Sequence, residues 1–215
     1  MAQHCSILIP AYNEAASVAG VVGVALEAGL GPVLVVDDGS ADETAAVARA
    51  AGAEVLSLAP NRGKGGAVCA GLKRLDSEVV LLIDADLVGL TPAHLRRLAY
   101  PVLASEADMT RGVFSGGRWS TSLAQRIAPQ LSGQRAVRRA LLLGVADLES
   151  SHYGIELAIT RHARRQGWRS RDVVLENVSQ VLKEEKRGLA RGLVIRLGMY
   201  YDVLRIWLKS SLSRR

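Results

Sequence analysis

The sequence is poor in several residue types that mark particular protein classes. It has two cysteines in 215 residues, Cys5 and Cys69, and both lie in apolar stretches. Buried free thiols are therefore predicted in place of a disulfide or a cysteine metal site, as is typical of a reducing, cytoplasmic compartment. Aromatic residues are 4% of the chain, and no stacking platform or recognition motif is present, so a nucleic-acid partner is not expected.

Long apolar runs are also missing. The segment before the first apolar run is only Met1 to His4, and Pro10 and Asn13 interrupt that run, so no signal peptide is predicted. The rest of the composition is ordinary for a globular protein, with 49% hydrophobic and 22% charged residues. A chain of this length can bury one core and is most simply one domain.

Four short apolar runs alternate with helical segments in the first half of the chain. The runs are Cys5–Ile9, Val33–Val36, Glu54–Leu58 and Val79–Ile83, and polar residues follow each of them. This alternation predicts βαβ units and an α/β fold with a mostly parallel central sheet flanked by helices. The polar residues would converge at the carboxyl edge of the sheet, where ligands of open α/β sheets bind.

Asp84 and Asp86 come directly after the fourth predicted strand. Two carboxylates at one edge repel each other unless a cation offsets the repulsion. Mg²⁺ or Mn²⁺ is the natural partner, since hard ions prefer oxygen ligands, and such an ion usually also holds a substrate's phosphates. The alternative is a pair of loop or helix-capping aspartates.

Four motifs follow one another in this half of the chain. They are Pro10-Ala11-Tyr12-Asn13-Glu14, Val35-Val36-Asp37-Asp38-Gly39-Ser40, Asn61-Arg62-Gly63-Lys64-Gly65 and Asp84-Ala85-Asp86. Their order and spacing resemble the donor half of family 2 glycosyltransferases, which have the GT-A (Rossmann-like) fold and use nucleotide sugars. Looser matches at 108–112, 131–136 and 153–156 resemble the acceptor half of the branch that includes dolichyl-phosphate mannosyltransferases and glucosyl-3-phosphoglycerate synthases.

The resemblance implies a domain division and a set of donor-site residues. Residues 1–187 would form the GT-A domain, with a nucleotide-binding half at 1–90 and an acceptor half at 91–187, and a basic amphipathic C-terminal helix would follow at 188–215. Asp86 would ligate the metal and serve catalysis, while Asp84 would contact the ribose or support the site. The residues implied to surround the nucleotide are Pro10, Ala11, Tyr12, Glu14, Asp38 or its neighbour Asp37, Lys64, Asp84 and Ala85.

Two of these motifs also have interpretations of their own. Pro10 to Glu14 is predicted to be a turn, and the resemblance implies that it packs around the base and ribose; a fixed proline is suited to such shape-selective contact. Asn61–Gly66 is a glycine-rich loop whose amides and cations could bind phosphate, although it lacks the spacing of a P-loop. A tight turn with solvated charges is the alternative for that loop, and a helix cap is the alternative for Asp37 and Asp38.

The acceptor half would contribute a general base and a binding pocket. Glu156 is the candidate for taking a proton from a hydroxyl acceptor, with Asp147 and Glu149 as alternatives. A phosphate acceptor would need no base, and Glu156 would then position that acceptor. The remaining alternative is that Glu156 only stabilises the N-terminus of a helix. Arg111 and Arg135 are equally interpretable as phosphate clamps or as surface ion pairs. The residues implied to shape the sugar and acceptor pocket are Arg111, Gly112, Ser132, Gly133, Gln134 and Arg135.

One position departs from the family pattern. In related sequences a histidine that completes the metal site often precedes a Lys-Glu-Glu-Lys segment, but here Gln180 holds that position, before Lys183-Glu184-Glu185-Lys186. An amide oxygen can ligate Mg²⁺ or Mn²⁺, whereas imidazole is better suited to transition metals. Gln180 is therefore the predicted third metal ligand.

Positive charge is concentrated near the end of the chain. Residues 1–160 carry a net charge of −3 and residues 161–215 one of +9, which indicates an anionic partner such as a phosphate-bearing substrate or a membrane surface. From Leu189 to Leu208, apolar residues recur at helical spacing, and four charged residues there exclude a transmembrane helix. This helix would lie at the membrane interface, pack on its own domain, or pack on a second subunit in a homodimer.

These observations together predict metal-dependent transfer of a sugar to a phosphate-bearing acceptor. The donor would be a UDP-sugar as first choice and GDP-mannose as second, and the acceptor a polyprenyl phosphate or a small phosphorylated metabolite. One alternative is a nucleotidyltransferase, but the expected glycine-rich activating loop is missing at the first strand. The other is a non-catalytic, membrane-associated nucleotide-sugar-binding protein, which the missing histidine favours.

Overall fold

The structure, a computed structural model, describes residues 4–115, 132–146, 148–149 and 154–180. Strands and helices alternate along the first half of this part, as the sequence predicts. The elements are β1 (Cys5–Ala11), α1 (Val18–Ala28), β2 (Val33–Asp37), α2 (Thr44–Ala50), β3 (Glu54–Ser57), α3 (Gly63–Arg74), β4 (Val79–Leu82), β5 (Leu87–Val88), α4 (Pro92–Leu103), β6 (Met109–Ser115), β7 (Arg135–Arg138), α5 (Arg139–Leu143), α6 (Ile155–Arg165), β8 (Ser170–Glu176) and β9 (Ser179–Gln180).

A seven-stranded sheet of order β3-β2-β1-β4-β7-β6-β8 forms the centre of the fold. The four strands of the first half are parallel to one another, β7 runs antiparallel to both β4 and β6, and β8 is parallel to β6. A separate ribbon pairs β5 with β9 in antiparallel fashion. The predicted α/β fold with a mostly parallel sheet is therefore confirmed.

Helices cover both faces of the sheet. Successive strand residues point to opposite faces, so Ile7 and Ile9 of β1 belong to the apolar cluster that includes residues of α1 and α4, such as Leu95. Leu8 belongs to the opposite cluster, which includes Leu72 of α3. Each such fully buried side chain contributes about 1.5–3 kcal/mol of hydrophobic stabilisation. Both faces of the central strands are therefore apolar, and their polar residues lie beyond the strand ends.

Two predicted loops are parts of regular elements in the structure. Pro10 and Ala11 are the last residues of β1, not a turn after it. A proline is tolerated there because the pairing of β1 with β4 ends at Leu8, opposite Leu82, so no bond to β4 is lost at the missing N–H.

The glycine-rich segment is the second correction. Gly63 to Gly66 form the first turn of α3 and not a loop. Close packing accounts for glycine in this helix despite its low helix propensity, since a Cβ at Gly71 would lie 2.4 Å from Leu8 Cδ1.

Several predictions concern residues outside the described part of the chain. The predicted helix at 188–215 and the end of the proposed domain at residue 187 lie there, as do Asp147 and residues 116–131. The domain division, the membrane contact and the homodimer therefore stay predictions. Within the described ranges, no helix is long and apolar enough to cross a bilayer.

Candidate functional site

Three charged side chains meet at the carboxyl edge of the sheet. Asp84 follows β4, Lys64 lies in the first turn of α3, and Glu156 lies in the first turn of α6. Lys64 Nζ is 2.6 Å from Asp84 Oδ1 and 2.5 Å from Glu156 Oε1. The side chains of Asp84 and Glu156 are only 14% and 12% exposed. Residues 92 positions apart in the sequence are thus joined through one ammonium group.

The electrostatics of this cluster keep Lys64 charged. Burial on its own would lower the pKa of Lys64, but the carboxylates of Asp84 and Glu156 outweigh it and raise the pKa above its usual value. At neutral pH the site therefore contains a permanent cation between two acids. This cation lowers the free-energy cost of holding both carboxylates in a half-buried position.

Asp84 also receives two amide donors from the second half of the chain. Gln134 Nε2 and Gln180 Nε2 lie 2.8 Å and 2.9 Å from Asp84 Oδ2. Gln134 directly precedes β7, and the β5–β9 ribbon places Gln180 opposite Leu87. Both carboxylate oxygens of Asp84 are thus engaged, and the two halves of the predicted domain meet at this residue.

Gly133 leaves the space that this arrangement requires. A Cβ at Gly133 would lie 2.5 Å and 2.7 Å from the two carboxylate oxygens of Asp84 and 2.8 Å from Lys64 Nζ. The remaining cavity has a volume of about 10 Å³ and is lined by Pro10, Lys64, Gly133 and Glu156, among others. A volume of that size holds one water molecule at most, so the protein's own side chains occupy the centre of the site.

The predicted metal ligands lie at the same edge. Asp86 is half-buried between Ala85 and Leu87, which are 3% and 6% exposed. In the described residues, no group of three or more histidine, cysteine, aspartate or glutamate side chains could hold a metal ion. Together with the aspartates, the amide of Gln180 gives an all-oxygen donor set, which fits a hard ion such as Mg²⁺ or Mn²⁺.

Asp38 lies at the end of the neighbouring strand. It is 3% exposed, and its Oδ1 accepts a hydrogen bond from the backbone N–H of Arg62 at 2.8 Å. Burial raises the pKa of Asp38, although backbone N–H groups of Arg62 and Gly63 oppose the rise. Because α2 begins only at Thr44, neither Asp37 nor Asp38 caps it, and that alternative is wrong.

The predicted nucleotide-binding turn is held by a neighbouring loop. The backbone N–H of Asn13 donates to Ser40 Oγ at 2.9 Å, and Asn13 Oδ1 accepts from the backbone N–H of Ala41 at 2.8 Å. Tyr12 is 42% exposed, and Glu14 Oε2 accepts from Ser17 Oγ at 2.9 Å. The pairing of these two loops was not predicted, because hydrogen bonds between loops leave no periodic pattern in the sequence.

The two arginines of the predicted acceptor pocket differ. Arg111 Nη2 pairs with Asp172 Oδ1 at 2.7 Å, in register across β6 and β8, which favours the ion-pair alternative. Arg135 is 0% exposed, so a surface ion pair is wrong for it. Its guanidinium donates to the carbonyl of Ser132 at 2.8 Å and to Thr160 Oγ1 at 2.9 Å, and these inward contacts do not support a phosphate clamp.

Of the other residues predicted for the acceptor pocket, Ser132 and Gly112 both lie against Gln134. Ser132 Oγ donates to Gln134 Oε1 at 3.0 Å, and a Cβ at Gly112 would lie 3.1 Å from Gln134 Cβ. Of the alternatives to Glu156, Glu149 lines a separate surface groove with Cys69. Among the candidate bases in the described part of the chain, Glu156 is therefore the one that lies near Asp84.

Thr160 is a site residue that the sequence analysis missed. It is 2% exposed, and its hydroxyl donates to the carbonyl of Glu156 at 2.7 Å while accepting from Arg135. The signal that could have found it is its spacing, because a residue four positions after Glu156 lies on the same face of a helix.

Comparison with known proteins assigns the family. The model of glycosyl transferase family 2 matches residues 6–156, which include the ends of β1, β2 and β4 and the residues around Asp84. The chain belongs to glycosyl transferase family 2. The resemblance noted for the four motifs is thereby confirmed.

Two mycobacterial proteins are similar to the chain. A glucosyl-3-phosphoglycerate synthase of Mycobacterium tuberculosis is 29% identical over 192 residues, which cover 72% of this chain and 59% of that protein. An uncharacterized glycosyltransferase of Mycobacterium bovis is 30% identical over 187 residues, covering 76% of this chain and 80% of that protein. The chain thus spans about three fifths of the length of the synthase.

A solved structure extends the likeness to three dimensions. The crystal structure of the M. tuberculosis glucosyl-3-phosphoglycerate synthase in complex with Mn²⁺, UDP-glucose and phosphoglyceric acid matches with a TM-score of 0.65 and 26% identity. The match covers 83% of this chain and 72% of that one. The GT-A fold predicted from the family 2 motifs is therefore confirmed.

Proposed function

We propose that the protein catalyses metal-dependent transfer of a sugar from a nucleotide-diphosphate sugar to a phosphate-bearing acceptor. A UDP-sugar is the first choice of donor and GDP-mannose the second. The observation that carries the proposal is the meeting of Lys64, Asp84 and Glu156 at the carboxyl edge of the sheet. Asp86, the proposed metal ligand, lies two residues beyond Asp84 along the chain, so the proposal places it near this cluster of a cation, a supporting acid and a candidate base.

The donor end of the site has a clear task. Negative charge gathers on the nucleoside diphosphate as it leaves, and fixed positive groups at that place lower the barrier. Asp86 and Gln180 would hold the Mg²⁺ or Mn²⁺, which when bound polarises the phosphate oxygens. Lys64 contributes a second cation, because its raised pKa keeps it protonated at neutral pH.

At the acceptor end, a hydroxyl acceptor requires a group that can accept its proton. A hydroxyl acceptor loses its proton as it attacks the anomeric carbon, and a carboxylate within hydrogen-bond reach can take it. Glu156 has that position, at the start of α6 and 2.5 Å from Lys64 Nζ. An acceptor that attacks through a phosphate oxygen needs no base, and Glu156 would then orient the acceptor.

A small phosphorylated acid is the acceptor that we favour. The relative that is 26% identical was solved with phosphoglyceric acid beside UDP-glucose and Mn²⁺. A polyprenyl phosphate is the alternative, because residues 161–215 carry a net charge of +9 and could lie against an anionic membrane. Sedimentation with anionic vesicles, compared with neutral ones, tests that alternative and the peripheral location together.

The deciding experiment is release of nucleoside diphosphate from a panel of UDP- and GDP-sugars with Mn²⁺, with Mg²⁺ and with a chelator. We expect one donor to be cleaved only with metal, and Asp86→Ala to abolish that cleavage without lowering the thermal midpoint. Asp76→Ala, at an exposed position, is the matched control and should keep full activity. Unchanged turnover in Asp86→Ala would remove the metal role assigned to this aspartate.

A non-catalytic nucleotide-sugar-binding protein is the second candidate. Gln180 favours it, because an amide replaces the histidine that is typical of the family's metal site. This candidate predicts thermal stabilisation by UDP plus Mn²⁺ with no cleavage of any donor. Absence of both stabilisation and cleavage would contradict both candidates.

A further inference from the structure

A buried arginine connects the two sides of the site. Arg135 Nε donates to the main-chain carbonyl of Ser132 at 2.8 Å, and Arg135 Nη1 donates to Thr160 Oγ1 at 2.9 Å. Arg135 and Thr160 are 0% and 2% exposed. Burial lowers the pKa of Arg135 to about 10, which still leaves the guanidinium charged at neutral pH. A charge held this deeply requires well-placed acceptors, and the two segments that supply these acceptors are thereby fixed to each other.

From Thr160 the connection continues to Glu156 and on to Asp84. The Thr160 hydroxyl donates to the carbonyl of Glu156 at 2.7 Å, one helical turn earlier in α6. The Glu156 carboxylate is 2.5 Å from Lys64 Nζ, which is 2.6 Å from Asp84 Oδ1. On this side, three contacts connect Thr160, the partner of Arg135, to Asp84.

From Ser132 the connection returns to the same aspartate. Ser132 Oγ donates to Gln134 Oε1 at 3.0 Å, and Gln134 Nε2 donates to Asp84 Oδ2 at 2.8 Å. The contacts therefore close on themselves. We call this closed set the Asp84–Glu156 ring, and its members are Lys64, Asp84, Ser132, Gln134, Arg135, Glu156 and Thr160.

We infer that Thr160 and Arg135 are positioning residues, which hold Glu156 at a fixed place relative to Asp84 through the Asp84–Glu156 ring. The inference rests on the proposed function, since it assigns these two residues to the geometry of the transfer step. Neither side chain needs to touch a substrate. The ring spans the donor side, at Asp84 and Lys64, and the acceptor side, at Glu156.

The chemistry explains why a hydroxyl is needed at position 160. It accepts from the guanidinium and donates to the Glu156 carbonyl at the same time, which a hydroxyl group can do and a methyl group cannot. Without it, a buried guanidinium N–H loses this acceptor, and the first turn of α6 loses its link to the Ser132 segment. Misplacement of a catalytic group by about 1 Å can slow an enzyme about 100-fold.

The test compares three variants. Thr160→Val removes the hydroxyl at similar shape, and Thr160→Ser keeps it. Thr110→Val is the matched control, because Thr110 is also buried and its hydroxyl also donates and accepts: it donates to the carbonyl of Leu98 at 2.7 Å and accepts from the backbone N–H of Ala136 at 3.3 Å. Neither partner belongs to the ring. Should Thr160→Val not fold, Thr160→Ala replaces it, since the smaller side chain leaves room for a water molecule at the guanidinium.

In steady-state kinetics we expect Thr160→Val to lower kcat by about 10- to 100-fold, with the Kd for UDP and Mn²⁺ unchanged, because the donor ligands keep their places. Thr160→Ser should restore most of kcat, and Thr110→Val should leave kcat within about twofold of the parent, a small change on the rate scale. A kcat for Thr160→Val no lower than that of Thr110→Val would overturn the inference.

A second measurement does not depend on activity. Thr160→Val and Lys64→Met, combined in a double-mutant cycle of thermal midpoints, should be non-additive by about 2 °C or more, because both disrupt one connected network. Thr110→Val with Lys64→Met should be additive. If the changes in thermal midpoint are additive in the Thr160 cycle, the inference that the ring couples these residues is overturned, whatever the kinetic result. If no donor is cleaved by the parent, the proposed function fails, and this cycle still decides the positioning role.

Discussion

Gly133→Ala is the substitution whose effect follows most directly from the distances in the site. The new Cβ would lie 2.5 Å from Asp84 Oδ2, 2.7 Å from Asp84 Oδ1 and 2.8 Å from Lys64 Nζ, whereas ordinary contact begins at 3.4 Å. The nearest carboxylate oxygen must therefore move by about 0.9 Å, since the atoms cannot overlap. No backbone strain is involved, because Gly133 does not have a positive φ.

The size of the effect on activity follows from that displacement. A shift of about 1 Å in a catalytic group costs about 100-fold in rate, which corresponds to about 2.7 kcal/mol of activation free energy. The effect on folding should be smaller, because the atoms that must move are the ends of two side chains, the carboxylate of Asp84 and the ammonium of Lys64, and not backbone atoms. Gly133→Ala should therefore lower kcat/KM by about two orders of magnitude while the thermal midpoint changes little.

The assay is nucleoside diphosphate release at saturating metal, run beside thermal unfolding. Gly20→Ala is the matched control: it makes the same chemical change in α1, where a Cβ would meet nothing within 4 Å, and should keep full activity with a slightly raised midpoint. Full activity in Gly133→Ala would refute the argument that close approach of backbone, Asp84 and Lys64 is needed. A large drop in midpoint would instead show that Gly133 acts through folding.

Three further predictions concern the metal, pH and thiols. Gln180→His should tighten Mn²⁺ binding relative to Mg²⁺, as measured by calorimetry with UDP present; an unchanged preference would contradict the ligand role of this position. Arg169 holds the pKa of Asp108 below its usual 3.8, so the stability from this pair is present above that pH and is lost as pH falls through the lower folded-state pKa. Urea unfolding should show that Asp108→Asn has a lower free energy of unfolding than the parent at pH 7 and that this difference is smaller at pH 3. A difference in free energy of unfolding that does not change with pH would contradict this. Burial raises the pKa of Cys5 to about 12, so mass spectrometry should find it unmodified by thiol reagents at pH 8 until urea is added, whereas half-buried Cys69 should react in the folded protein.

The fold could be predicted from the sequence because central strands such as β2 and β4 are apolar on both faces. Runs such as Val33–Val36 and Val79–Ile83 have no polar residue that would place them at a surface, and in the structure these segments are buried throughout. Each run ends in acidic residues, so the position of Asp38 and Asp84 at one edge followed from topology alone.

Other parts of the site could not be predicted, because they depend on contacts between distant segments. The buried guanidinium of Arg135 uses the Ser132 carbonyl, three residues away, together with the Thr160 hydroxyl, which comes from a separate stretch of chain. An arginine is usually exposed, and neither of the two predicted roles of Arg135, a phosphate clamp or a surface ion pair, includes full burial. The start of α3 at Gly63 could not be predicted either, because Gly63 has a φ of 74°, a conformation that glycine adopts easily and that no periodic pattern in the sequence indicates.

Lys64 gives the site a counterion of its own. Asp84 and Glu156 lie close together and half-buried, and the ammonium between them offsets part of their negative charge from within the chain. We therefore expect the fold not to depend on a bound ion, in contrast to small zinc domains that unfold when their metal is removed. Under the proposed function, a nucleoside diphosphate that reaches Lys64 would replace Asp84 and Glu156 as its ionic partners, and the two acids would then be available for other contacts.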